Sequence, residues 1–165
     1  MIEIGYSNDE IKEQFTKLLD KQGWVVTTGG VKYDELFYLD YVLSDEDEFY
    51  DSPARTAADI IERQNLYTEF GKHLVKLQND LGSRQFVICP DYDGDKDLAG
   101  CISLLQVVVR NDKIYMFVFM RSQHIENVEY DNNTFLLLME QCKTYLGLKC
   151  GNINVHVTSL HRYQK

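Results

Sequence analysis

Two apolar runs, LAGCISLLQVVV and KIYMFVFM, meet at Arg110-Asn111-Asp112 and constrain this chain more than any other stretch. Both are rich in β-branched and aromatic residues and are strand-sized, far short of a membrane span. Asn-Asp tolerates the positive backbone angles of a tight hairpin, so the pair reads as two antiparallel strands. Cys101 enters the first strand, and Arg121-Ser122 emerges where the second stops. A thiol and an anion-binding pair then sit at the rim of one sheet, a way to build a nucleotide site.

The segments around this hairpin supply helices and further strands. Ser7-Asn8-Asp9-Glu10 is a capping box opening a helix through Ile11, Phe15, Leu18 and Leu19, ended by Gly23. Trp24-Val25-Val26-Thr27-Thr28, a Gly29-Gly30 turn and a strand over 31–43 follow, the latter expected to bend or break near Asp34-Glu35. Ser44 to Glu48 is an acidic, solvated loop. Ser52-Pro53 marks a helix start, and spacing from Ala54 to about Asn79 predicts one long helix, or two broken near Gly71. A strand is expected over 83–89, a buried helix over 133–146 and a last strand through Ile153, Val155 and Val157. Asp91 to Asp97 has the look of a calcium loop, but the EF-hand glycine and glutamate positions hold Lys96 and Ile102, so an acidic surface turn is expected.

Together these predict one α+β domain over 1–165, a mixed, largely antiparallel sheet backed by helices. The 44% hydrophobic share supports a globular core. A net charge of −9 argues against nucleic-acid or anionic-membrane binding, which need a basic face. Cysteines at 89, 101, 142 and 150 lack metal-ligand spacing, so no metal is expected. Their low density and the lack of a signal-peptide pattern at the N-terminus favour a reduced, cytoplasmic protein. Cys142 falls on the apolar face of its helix and reads as core.

Gly100-Cys101-Ile102-Ser103-Leu104-Leu105-Gln106, Met120-Arg121-Ser122-Gln123-His124, Asn132, the Gly147–Asn152 run and His161-Arg162-Tyr163 stand in one order along the chain. In that order they resemble the core of thymidylate synthases and their pyrimidine nucleotide hydroxymethylase relatives. The resemblance implies a thymidylate synthase-like fold and a homodimer packed through its sheets. It makes Cys101 the nucleophile, gives phosphate to Arg121, Ser122 and Arg84 of the partner subunit, base reading to Asn132, and the sugar to His161 and Tyr163. The ligand implied is deoxyuridylate or deoxycytidylate, and the one-carbon donor methylenetetrahydrofolate.

The chemistry fits those residue types. A pyrimidine resists electrophiles at carbon 5 until a nucleophile adds at carbon 6, and a thiolate adds and leaves readily. An adjacent cation keeps it ionised; arginine can also hold phosphate bidentately. Asparagine offers one donor and one acceptor to a base edge. His161 and Tyr163, two apart on a strand, share a side.

The sequence also departs from the family pattern. Gly100 and Ile102 flank the cysteine where prolines and histidine are usual, and Gln85 replaces a second arginine. His124, Val128 and Asp131 occupy positions that place folate, and Thr158-Ser159 replaces Gly-Asp. Glu62 is the nearest counterpart of the catalytic glutamate. The nucleotide half of the site is therefore better matched than the folate half. Two functions stand: methyl or hydroxymethyl transfer to carbon 5, or a catalytically inactive relative acting as a nucleotide-binding, regulatory or assembly module. A cysteine hydrolase using Cys101 with His124 or His161 has no local signature.

Overall fold

A computed structural model describes residues 8–28, 30–43, 57–83, 86–89 and 101–164. Helix α1 (Asn8–Gln22) leads into β1 (Trp24–Thr28) and β2 (Val31–Leu43). Then come α2 (Ala57–Asn79), the two-residue β3 (Val87–Ile88), β4 (Ile102–Arg110) and β5 (Lys113–Met120). After β6 (Gln123–His124) and a single 3₁₀ turn, α3 (Val128–Leu146) crosses to the long β7 (Lys149–Tyr163). The sheet runs β1-β2-β7-β5-β4-β3, with β6 beside β7. All pairings are antiparallel except β5 and β6 with β7. Parallel neighbours need a crossover, and α3 supplies it. The chain is thus α+β, with a mixed, largely antiparallel open sheet and, among the described residues, three helices.

The hairpin at the heart of the sequence forms as expected: Asn111 and Asp112 take φ of 52° and 59°, the positive angles a two-residue hairpin loop requires. Ile114, Met116, Val118 and Met120 of β5 and Leu105, Val107 and Val109 of β4 are buried. Helix α3 packs on β5 and β7 and is flanked by α1 and α2. Its Val128, Phe135, Leu138, Met139 and Cys142 are buried, so the core placement of Cys142 holds. The other sheet face carries Tyr115 and Phe117, half-buried, and Phe119, Phe37 and Tyr38, exposed.

Several boundaries differ from the sequence reading. α3 begins at Val128 rather than Asn133, because Val128 and Asn132 are buried and Thr134 bonds back to the Tyr130 carbonyl, extending the helix into the expected loop. Tyr145 is exposed on α3 rather than on its buried face. α2 is unbroken: Gly71 lies on its exposed side, where a side chain would meet nothing within 4 Å. Among the described residues of the strand expected over 83–89, Val87 and Ile88 pair, against Gln106 and Leu105. β2 is continuous at Asp34-Glu35, and its irregularity lies at Tyr38, with φ of 61°. The capping Ser7, the acidic run 44–48, Pro53 and the Asp91–Asp97 turn lie outside the described residues. No helix among the described residues is long and apolar enough to cross a membrane.

The irregularity at Tyr38 belongs to a line that crosses the sheet. In β2 the core side is held by Leu39, Tyr41 and Leu43 on one side of Tyr38 and by Leu36 on the other. β7 does the same opposite it: Ile153, Val155 and Val157 are buried, then Leu160. In β4 the register slips between Ile102 and Leu104, and the core side passes from Leu105 to Ile102. β5 stops at Met120 and β6 resumes at Gln123, both buried, so that pair of elements also changes phase. Strict period-two alternation would have sent Cys101, His161 and Tyr163 into the core. The extra residue on each strand turns His161 and Tyr163 toward the other side, while Cys101, half-buried, still packs against the edge of the core.

Candidate functional site

Beyond that line, a cavity of about 370 Å³ opens on the sheet, lined by Val31, Tyr33, Glu35, Ser122, Ser159, His161 and Tyr163. Two strands and a strand break build it. β2 contributes alternate residues Val31, Tyr33 and Glu35; β7 contributes Ser159, His161 and Tyr163; the break between β5 and β6 contributes Ser122. The register sets Glu35 against His161 and Tyr33 against Tyr163.

Cys101 joins through Ser122, its Sγ lying 3.5 Å from the Ser122 Oγ. The Arg121 N–H donates to the Cys101 carbonyl at 2.8 Å, which ties the start of β4 to the end of β5. The Arg121 side chain is exposed beside Ser122. So Ser122, His161 and Tyr163, drawn from separate parts of the sequence, line one cavity, with Cys101 adjoining it through Ser122 and the Arg121 backbone bonded to Cys101.

Asn132 and Arg84 are different. Asn132 is fully buried inside α3 and does not line the cavity. Its Oδ1 accepts the Tyr41 hydroxyl at 2.8 Å, and Tyr41 in turn accepts from the Gln123 Nε2, which also donates to Asp131. Burial pushes the Tyr41 phenol far above its usual range, so it remains a donor. Arg84 lies outside the described residues, as does the Glu62 side chain.

The chain's own ring cluster shapes the far wall. His124 lies 4.8 Å from Tyr163 and 5.2 Å from His161 between ring centres, and Tyr33 lies 6.1 Å from His161. The His124 Nδ1 accepts the Glu126 N–H at 3.2 Å, so the neutral ring carries its proton on Nε2. Burial holds the His161 imidazole below the ordinary histidine range, opposed by the Glu35 charge and the Ser159 backbone. A neutral His161 can donate to or accept from a ligand hydroxyl.

Tyr33, Glu35 and Ser159 are site residues that the sequence reading did not single out. The Ser159 hydroxyl donates to Glu35 Oε1. The available signal was the alternation of Tyr33 and Glu35 ahead of an apolar strand; what was missing was the register that sets them against His161 and Tyr163.

The positions that resemblance gives to folate are used internally. Val128 is fully buried, Asp131 accepts from Gln123, and His124 is packed against two rings. These residues do not fit a folate. Among the described residues, no group of three His, Cys, Asp or Glu side chains is placed to hold a metal ion. The chain matches no protein-family model and no curated protein sequence.

Proposed function

We propose that this protein is thymidylate synthase-like and binds a pyrimidine nucleoside monophosphate in the cavity beside Ser122, with Cys101 as the nucleophile that activates carbon 5. The observation that carries the reading is the 3.5 Å approach of Cys101 to Ser122 at a cavity that His161 and Tyr163 also line. Three residues of the resembled motif, Ser122, His161 and Tyr163, line that cavity, and Cys101 adjoins it through Ser122, which supports the reading. Arg121 and Ser122 take the phosphate, joined by Arg84 of the partner subunit in a homodimer, and His161 and Tyr163 take the sugar. Asn132 reads the base only if its bond to Tyr41 yields.

The chemistry assigned to Cys101 needs no second cofactor to be seen. Its thiolate adds to carbon 6, forming the C–S bond and moving the ring electrons to carbon 5 as an enolate. Solvent delivers a proton there. Reversal removes the other carbon-5 hydrogen and expels the thiolate, so the ring is restored with one hydrogen exchanged. Methyl or hydroxymethyl transfer would draw on the same activated carbon.

Titration calorimetry with uridine- and cytidine-type monophosphates, deoxyuridylate and deoxycytidylate included, tests the binding. Saturable heat is expected from the wild type, with affinity at least tenfold weaker in Arg121→Ala, the loss of a charge-assisted phosphate contact. Carbon-5 hydrogen exchange in deuterated water tests the chemistry, and Cys101→Ser should abolish it. Binding without exchange favours the non-catalytic relative. A folded protein that takes up none of these nucleotides ends the proposal.

A further inference from the structure

Glu35 has no part in the reading above, although it faces the same cavity. Its position is well defined: it pairs across the strands with His161, and its Oε1 receives the Ser159 hydroxyl. A carboxylate is an acceptor only, with two oxygens, so one remains for a ligand after Ser159 is served. Among the described residues no side-chain donor is recorded on Oε2. Tyr33, His161 and Tyr163 surround the carboxylate as further lining residues.

We infer that Glu35 makes the cavity select a ribose over a deoxyribose, by accepting a hydrogen bond from the hydroxyl next to the one held by His161 and Tyr163. The inference rests on the nucleotide reading, which places the sugar at those two residues. A deoxyribose has a single ring hydroxyl to offer there, and His161 and Tyr163 account for it. A ribose has two on adjacent carbons, and a carboxylate is the side chain that commonly takes the second. The preference has two sources. The extra hydroxyl gains a charge-assisted bond. A deoxyribose would press a C–H group against a half-buried carboxylate, desolvating it without a donor.

The test compares uridylate and cytidylate with their deoxy counterparts by calorimetry, on wild type, Glu35→Gln and Arg121→Ala. The ribonucleotide should bind on the order of ten- to hundredfold more tightly to wild type, the range of one hydrogen bond to a charged group. In Glu35→Gln, nearly isosteric and still able to accept from Ser159, that ratio should shrink toward one, chiefly through weaker ribonucleotide binding. Ser159→Ala keeps the carboxylate but frees it to rotate, and should give an intermediate ratio. Equal affinity for both sugars, tighter deoxynucleotide binding, or a ribose preference that survives Glu35→Gln overturns the role of Glu35, while the nucleotide site stands if Arg121→Ala still loses binding. Absence of binding by all four nucleotides overturns both readings.

Discussion

At Tyr41 a phenol is held out of water at about 1% exposure, edge-on to Phe15 at 5.3 Å. Its hydroxyl is satisfied on both sides, donating to Asn132 and accepting from Gln123. This small network lies where α3 meets the sheet, on the core side of the strands that carry the site. Tyr41→Phe keeps the ring and its packing but leaves a buried carbonyl oxygen and a buried amide each short of one partner. Stability should fall by about 1–3 kcal/mol, read as a lower urea midpoint at unchanged slope. A change within error would mean that Asn132 and Gln123 are served without Tyr41. The cysteines show the same contrast of environments. Burial, with Cys150 adding, pushes the Cys142 thiol up to about 12, so it is protonated and inert near neutral pH. Cys101 stands half-buried beside a hydroxyl at the cavity. Identical residue types thus stand in different environments by position alone.

The strands are individually ordinary; their shared change of phase makes the site. Tyr38 is where β2 accommodates it, in a left-handed conformation that disfavours any side chain and β-branched ones most. Because Tyr38 is 75% exposed on this chain, replacing it sacrifices little packing within one subunit. Tyr38→Gly should therefore leave stability unchanged or raise it by about 1 kcal/mol, whereas Tyr38→Val should lower it by about 1–2 kcal/mol. Thermal unfolding of the two variants checks this, and a stable Tyr38→Val would show that the turn in β2 is not held there. The same line explains what the sequence could and could not disclose. The central hairpin was legible because its two apolar runs and the Asn-Asp turn are local signals. So was the end of α1 at Gly23, whose N–H bonds the Leu19 carbonyl and whose added Cβ would lie 2.4 Å from that oxygen. The grouping of Cys101 with Ser122 was legible from the same hairpin, whose second strand ends beside the start of its first, and the order of motifs added His161 and Tyr163. The start of α3 was not, since Asp131-Asn132-Asn133 has loop composition and only tertiary burial of Val128 and Asn132 favours the helix. Nor was Glu35, whose place in the cavity depends on pairing with a strand more than a hundred residues away.

On the scale of the whole molecule, the helices cover one sheet face and leave aromatic side chains on the other. Phe119 and Tyr38 surround the His156–Asp40 pair, with ring centres 5.7 and 6.5 Å from the imidazole and 2.6 Å between His156 Nδ1 and Asp40 Oδ1. Phe37, Phe117 and Tyr115 extend the patch. An apolar surface of this kind is costly to leave in water. The proposed homodimer would bury it against a second copy of itself and bring the partner's Arg84 to the phosphate. Phe119 is the position to break this arrangement, because it is 43% exposed and its loss should not disturb the core. Phe119→Lys would place two unpaired cations in a closely packed interface. Sedimentation equilibrium should give a dimer for wild type and a monomer for Phe119→Lys, with circular dichroism showing the fold retained. If Arg84 acts across the interface, the monomeric variant should also bind nucleotide at least tenfold more weakly, although position 119 is not among the residues lining the cavity. A wild type that is monomeric at micromolar concentration and still binds nucleotide would separate the site from the dimer and assign the phosphate to Arg121 and Ser122 alone.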